Sequence, residues 1–252
     1  TVGGCGGWMC NGDAWGPRHT HIGCENCLRC GIFGADFGIM GLAGGFLTNH
    51  ELDQETRYPM NLGFCHDCYA VQIVDKINPD TMFKKGYFYF SSSIGTLRNH
   101  FINYAEEVVS RFLPSPEDAT VIEFGCNDGV LLSPLADLNV GHIIGVDPAT
   151  NVVGKIDDNR VDIVNSYFDE LCASNIVDRF GKADLILANN VFAHVDDINA
   201  LTKAIDVALD ENGAFIFEVH YLGKIIEDMQ YDMIYHEHIY YYSLLAVENH
   251  FS

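Results

Sequence analysis

The sequence predicts an α/β protein, a doubly wound parallel sheet preceded by a small cysteine-rich module. Three observations predict it. From Ala119 onward short apolar runs alternate with helical patterns, the mark of consecutive β-α-β units. The first run, Thr120-Val-Ile-Glu-Phe124, feeds a glycine turn, Gly125-Cys-Asn-Asp-Gly129, and then the apolar start of a helix at Val130-Leu-Leu132. Ahead of these stand two C-x-x-C pairs, Cys27/Cys30 and Cys65/Cys68.

Taken in order, residues 1–22 are rich in glycine, with Cys5, Cys10, His19 and His21 scattered through them and no periodicity. An irregular leader is expected there. Residues 23–80 form the cysteine module. Cys27-Leu-Arg-Cys30 and Cys65-His-Asp-Cys68 each present two thiols from a tight turn, and four thiolates meet the tetrahedral demand of zinc. Such a closed site leaves no open position, so the metal is assigned to folding; free core cysteines are the alternative. Cys24 and His66 are spare donors. Residues 81–118 connect the module to the sheet. Phe83, Tyr87, Phe88, Tyr89 and Phe90 either pack between domains or bring a tyrosine hydroxyl to a pocket. Thr96 to Phe112 has helical spacing through Leu97, Phe101, Tyr104, Ala105, Val108, Val109 and Phe112, and Pro114 and Pro116 end it. Residues 119–252 carry the sheet. Its strands are Thr120–Phe124, His142–Val146, Val161–Val164, Ala183–Ala188 and, after a helix Ile198–Leu209 and an Asn212-Gly213 turn, Ala214–Val219. Polar residues gather at the C-terminal ends of these strands, where open α/β sheets bind ligands.

Composition narrows the function. The formal charge is −21 with 14 Lys and Arg, which repels polyanions and argues against a nucleic-acid partner. No apolar run of about 18 residues exists, so no membrane partner is expected. C-x-x-C pairs in an α/β chain read as metal sites of a cytoplasmic protein rather than as disulfides. Glu123 and Asp128 make the glycine loop acidic, which disfavours a pyrophosphate and favours a ligand with positive charge and hydroxyls. S-adenosylmethionine (SAM) has both. Asp147 closes the second strand about 20 residues after the loop, where a carboxylate accepts from ribose hydroxyls. A dinucleotide site would need the full G-x-G-x-x-G, and the loop has two glycines.

Several segments together resemble the sugar C-methyltransferases that act on nucleotide-linked keto-deoxysugars, of the tetronitrose 3-C-methyltransferase type. They are Cys27-Leu-Arg-Cys30-Gly31, Tyr58-Pro-Met-Asn-Leu62, Cys65-His-Asp-Cys68, Tyr87-Phe-Tyr-Phe-Ser-Ser92, Glu123-Phe-Gly-Cys-Asn-Asp-Gly-Val-Leu-Leu132, Glu218-Val-His-Tyr-Leu222 and Ile234-Tyr-His-Glu-His238. The resemblance runs from about Cys27 to the end of the chain. It implies a zinc-binding N-terminal module, a Rossmann-like class I SAM methyltransferase sheet, and a further C-terminal part that helps hold the nucleotide sugar. The chain is therefore expected to be a fragment, its methyltransferase domain truncated before the antiparallel hairpin that completes such sheets. The substrate implied is a nucleotide-linked sugar of the dTDP type.

Methylating carbon needs a carbanion equivalent, formed when a base takes the proton next to a ketone. A base titrating near neutral pH suits this step, and histidine does. The resemblance places His238 in that role, with Glu237 and Tyr235 beside it. Glu237 is expected to favour the charged imidazole and Tyr235 to donate to the enolate oxygen. The segment is read as extended, and His236 is expected to point elsewhere. One of Tyr87 and Tyr89 is implied to enter the site. For SAM, Glu123, Gly125, Asn127 and Gly129 should meet the methionine part and Asp147 the ribose. Tyr167 and Phe168 should flank the adenine, and Asn189 or Asn190 should reach the amino-acid end. His194 is placed near the site or on the surface. The competing readings are a SAM methyltransferase for another acceptor, by O- or C-methylation, and a zinc-stabilised non-catalytic module.

Overall fold

The computed structural model describes residues 32–44, 46–66, 68–84 and 87–252. The leader, Cys24, Cys27 and Cys30 lie outside the described residues. The chain divides into two units. One combines the residues up to Asn78 with Ala193–Asn199 and Val219–Ser252, and the other comprises Pro79–Phe192 with Ala200–Glu218.

The first unit is built on a four-stranded antiparallel sheet. Strands β1 (Ile32–Gly41), β2 (Arg57–Phe64) and β3 (Val71–Ile73) follow one another, and the last strand, β9 (Tyr240–Tyr241), arrives from the far end of the chain. It pairs Val71 with Tyr241 and Gln72 with Tyr240. Met60, Ile73, Ile225 and Tyr241 form a small core, against which Met233 and Ile234 pack. Between β2 and β3 the chain turns through Cys65 and Cys68. The turn is closed by Cys65 N–H donating to Ala70 O at 2.9 Å, with Tyr69 in the left-handed region at φ 59°.

The second unit holds the expected parallel sheet. Helix α1 (Gly95–Phe112) leads into β4 (Thr120–Phe124), α2 (Leu132–Asp137), β5 (His142–Val146), α3 (Thr150–Val153), β6 (Asp162–Val164), α4 (Glu170–Phe180), β7 (Ala183–Asn189), α5 (Ile198–Ala208) and β8 (Leu209–Glu218). The strand order is β6-β5-β4-β7-β8 and every pairing is parallel. Every residue of β4 is buried, as the central strand of a sheet covered on both faces must be. Phe101, Ala105 and Val108 of α1 join Val121, Leu132, Leu135, Ile143 and Leu185 in the main core. The Asn212-Gly213 turn expected to open the last strand is instead a bulge inside it. The register passes from Ala183↔Leu209 to Leu185↔Ala214, so β8 begins five residues earlier than the pattern indicated. In the first unit helices α6 (Leu222–Glu227) and α7 (Leu244–Phe251) flank β9 in the chain.

Register brings the chemistry to one edge of the sheet. Glu123 in β4 stands beside Gly145 of β5 and Leu187 of β7, so the loops after all three strands leave at the same level. Gly125 opens the loop after β4 at φ 68°, and a Cβ there would lie 2.6 Å from the Val191 side chain. Strain and overlap add, so Gly125→Ala is expected to lower the stability of the protein by about 2–4 kcal/mol. Chemical denaturation checks this; a loss below about 0.5 kcal/mol, the range of a neutral surface change, would show that the loop has room.

Candidate active site

At the edge of the parallel sheet the loop after β4 is fastened to the loop after β5 through Asp147. Its Oδ1 accepts the Ala149 N–H at 2.8 Å and its Oδ2 the Asn127 N–H at 3.0 Å. Its main-chain carbonyl is held by Asn165 Nδ2 at 2.8 Å. Burial raises the Asp147 carboxyl above its ordinary value, against those two amide bonds. Each carboxylate oxygen keeps a lone pair for a ligand hydroxyl. Asn127 sits at φ 51° between Gly125 and Gly129, a succession that turns the loop sharply without a helix.

Glu123, at the end of β4, is 3% exposed. Burial in an apolar strand, with Asp147 and Asp128 nearby, pushes its carboxyl up to about 8, although Asn189 Nδ2 donates to its Oε1 at 3.4 Å. Its other oxygen, Oε2, and Asn189 Oδ1 are buried without a hydrogen-bond partner. Unpaired buried polar atoms are costly, and an ammonium group would satisfy both once Glu123 is ionised. These residues therefore fit the amino-acid end of SAM, and Asp147 fits its ribose.

The remaining sheet residues are distributed as follows. Tyr167 donates its hydroxyl to Asp80 at 3.0 Å, and Phe168 lies parallel to Phe124 with ring centres 5.0 Å apart. Asn190, at φ 55°, turns to the end of β8, where its Nδ2 donates to Glu218 Oε1 at 2.7 Å. Tyr87 and Tyr89 meet the cofactor edge through their carbonyls, which accept from Asn151 Nδ2 at 2.7 Å and Asn127 Nδ2 at 3.0 Å. Two further groups escaped sequence reasoning. His100 Nε2 lies 2.8 Å from Glu218 Oε2, and Tyr104 Oη is buried without a hydrogen-bond partner. Both stand on α1, where the spacing marked Tyr104 as one more apolar-face residue and gave His100 no signal.

The histidine groups belong to the other unit. Tyr235–His238 is a turn, closed by His238 N–H to Tyr235 O at 3.0 Å, not the extended segment expected. Ile239 N–H to Ala193 O at 2.9 Å and Ile73 N–H to Ile239 O at 2.8 Å fix it against the antiparallel sheet. The turn brings residues three apart together, so Tyr235 Oη lies 2.8 Å from His238 Nε2. His238 Nδ1 donates to Met233 O at 2.9 Å, which leaves Nε2 as the basic nitrogen of the neutral ring. The same turn sends His236 elsewhere, to Pro59 O at 3.1 Å. His194 stacks on His238 with ring centres 5.0 Å apart, and His220 approaches it at 5.2 Å.

The expected electrostatics are inverted. Glu237 was to favour the charged imidazole and the base was to titrate near neutrality. Burial and His220 instead hold His238 down to about 4, and burial with His238 and His220 holds His194 down to about 3. The group moved toward neutrality is Glu237, whose carboxyl burial pushes up to about 7. Orientation of the ring comes from the Met233 carbonyl. His220, in the Glu218-Val-His motif, had been given no role; the motif itself was its signal.

Cys65 and Cys68 are buried at 2% and 0% exposure, on either side of one tight turn. Two inward thiols are donor chemistry that zinc accepts. Among the described residues no three His, Cys, Asp or Glu side chains converge as a metal-binding group. No described helix is long and apolar enough to cross a membrane.

Residues 97–252 match a family model described as "Methyltransferase domain", and residues 34–83 one described as "Putative zinc binding domain". The C-methyltransferase NovU of Streptomyces niveus is 31% identical over 225 residues, which cover 87% of this chain and 53% of NovU. The chain thus spans about half the length of that relative. The ubiquinone biosynthesis O-methyltransferase of Bartonella quintana (strain Toulouse) is 32% identical over 99 residues, 38% of this chain and 39% of that protein. Among solved structures, the plantazolicin methyltransferase BpumL in complex with SAH aligns at a TM-score of 0.47 and 13% identity, over 59% of each chain.

The raised Glu123 carboxyl has a consequence for binding. Its folded value of about 8 stands above the ordinary glutamate value of 4.5, so the native protein at pH 7 keeps a proton that the unfolded chain has lost. Stability from this group is complete below pH 4.5 and is lost as pH rises through 8. A cationic ligand beside it favours the ionised form. SAM binding at pH 7 is therefore expected to release close to one proton, seen as a binding enthalpy that varies with the ionisation enthalpy of the buffer. Identical heats in phosphate and Tris would contradict this assignment of Glu123.

Proposed function

This chain belongs to the methyltransferase-domain family, and from that premise we propose that it is a SAM-dependent C-methyltransferase acting on the carbon beside the ketone of a nucleotide-linked keto-deoxysugar, of the dTDP type. The 31% identity to NovU supports C-methylation as the reaction class. The observation that carries the chemistry is the Tyr235–His238 pair, a neutral imidazole whose basic nitrogen faces a phenol at 2.8 Å.

SAM, when bound, supplies an electrophilic methyl group on a sulfonium. Glu123 and Asn189, with Asn190, would hold its amino-acid end, the loop from Gly125 through Asn127 to Gly129 its methionine chain, and Asp147 its ribose. Tyr167 and Phe168 would flank the adenine. In the other unit, His238 Nε2 takes the proton from the carbon beside the ketone. The C–H electron pair moves into an enolate, and the Tyr235 hydroxyl donates to the enolate oxygen as charge develops there. That carbon is the nucleophile to which bound SAM would supply its methyl group, the C–S electron pair leaving with the sulfur as S-adenosylhomocysteine, and the proton stays on His238 until solvent removes it. A base held near 4 is unprotonated across the neutral range, so its readiness does not depend on Glu237. Tyr87, Tyr89 and Glu237 are assigned to the sugar's surroundings. Cys65 and Cys68, with Cys27 and Cys30, are assigned to one structural zinc that fixes the β2–β3 turn.

The test uses the full-length protein and a dTDP-linked keto-deoxysugar in D2O without SAM. The protein should exchange the proton beside the ketone for deuterium, followed by NMR, and His238→Ala should slow that exchange at least 100-fold. Unchanged exchange in His238→Ala would remove the histidine from the reaction. No exchange by the unaltered protein, and no carbon-methylated product on adding SAM, would overturn the proposed function.

A further inference from the structure

The connector before α1 does more in the second unit than join two parts of the chain. Asp80 meets Tyr167, three residues past β6, at 3.0 Å, and Lys84 lies over the same ring with its Nζ 4.9 Å from the centre. Next, the Tyr87 carbonyl meets Asn151, five residues past β5, at 2.7 Å. Finally the chain reaches the loop after β4. There Tyr89 O accepts from Asn127 Nδ2 at 3.0 Å, and Asn127 Oδ1 accepts the Ser91 N–H at 2.9 Å. Asp128 Oδ2 takes the Ser92 hydroxyl at 2.6 Å and shares the Ser92 N–H with Oδ1, both at 3.2 Å.

The order of these contacts is the order of the strands. Advancing along the connector, the partners lie after β6, then β5, then β4, which are neighbours in that sequence in the sheet. A chain pinned in this way crosses the C-terminal edge of the sheet strand by strand. That edge is where a parallel sheet binds its ligand.

We propose that the described part of Asp80–Ser93 is a strap closing the SAM site, and that Asn127 is the positioning residue that couples the site to the strap. Asn127 is suited to this because three of its polar groups are divided. Its backbone N–H goes to Asp147, the residue assigned to the ribose, while both ends of its side-chain amide go to the strap. A ligand that draws on Asp147 therefore acts on the placement of Tyr89 and Ser91 through one residue. Tyr87 and Tyr89 are carried on the same strap, so the strap sets where those two rings stand. SAM cannot enter, nor its product leave, while every pin is closed. Release of the strap precedes exchange of the cofactor.

This inference rests on the SAM site proposed above. The test combines amide hydrogen exchange with the SAM dissociation rate. SAM should slow exchange of the Ser91 and Ser92 amides at least tenfold. Asn127→Gly keeps the left-handed backbone and its N–H but removes both strap bonds. It should speed exchange at Ser91 and raise the SAM dissociation rate about tenfold or more, as expected for the loss of two neutral hydrogen bonds. Ser92→Ala, on the strap itself, should shift both quantities in the same direction by a smaller factor, and it serves if Asn127→Gly fails to fold. SAM binding with unaltered protection at Ser91 and Ser92 overturns the strap and leaves the proposed function standing. So does a variant that frees the strap without hastening release. A full-length protein that binds no SAM overturns both.

Discussion

The cofactor edge depends on one buried carboxylate. Asp147 holds the Ala149 N–H on its own loop and the Asn127 N–H on the neighbouring one, and so locks together the turns that leave β5 and β4. Taking a carboxylate out of water is costly, and two amide donors offset part of that cost. The remainder shows as the raised Asp147 carboxyl. The parallel register of β4 between β5 and β7 makes this possible, because it places Asp147 and Asn189 each two residues beyond the partners of Glu123, at the same edge of the sheet. Glu123 and Asn189 each keep a buried oxygen without a protein partner. The sheet thus presents acceptors in surplus, which suits a ligand that brings a positive charge and hydroxyls.

The other unit solves a different problem. In the proposed reaction its turn holds a histidine neutral and aimed. A strand from the end of the chain, β9, pairs with β3 of the N-terminal sheet, and the bonds from Ile239 to Ala193 and Ile73 fix the turn between them. The N-terminal module is therefore part of what positions His238, even though it is far from it in sequence. A zinc at the Cys65–Cys68 turn would brace β2 and β3, the strands on which β9 is laid. Neutrality of the imidazole then follows from burial and from His220, and its tautomer from the Met233 carbonyl.

Much of the sheet was legible because its signals are local. Strand β4 and strand β5 read directly from apolar runs, and the glycine loop and Asp147 followed from spacing. What the sequence hid was long-range. The pairing of β9 with β3 joins residues about 170 apart, and two-residue strands carry too little pattern to announce themselves. An extended Tyr235–His238 would have put His236 and His238, two residues apart, on one face, and it is the turn that divides them. The acid–base expectation for Glu237 and His238 failed because adjacency in sequence says nothing of burial. The bulge in β8 was mistaken for a turn because Asn-Gly is a turn signal in either setting. His100 and Tyr104 were invisible because one helix face serves the core and the cofactor edge at once.

The most direct measurement is equilibrium dialysis of labelled SAM against the full-length protein and its Asp147→Ala variant. The account predicts saturable binding at one site, weakened about 10- to 100-fold in the variant, whose loss of a charged acceptor removes the ribose contact and the tie between the two loops. Equal affinity in the two proteins would contradict the central role given to Asp147.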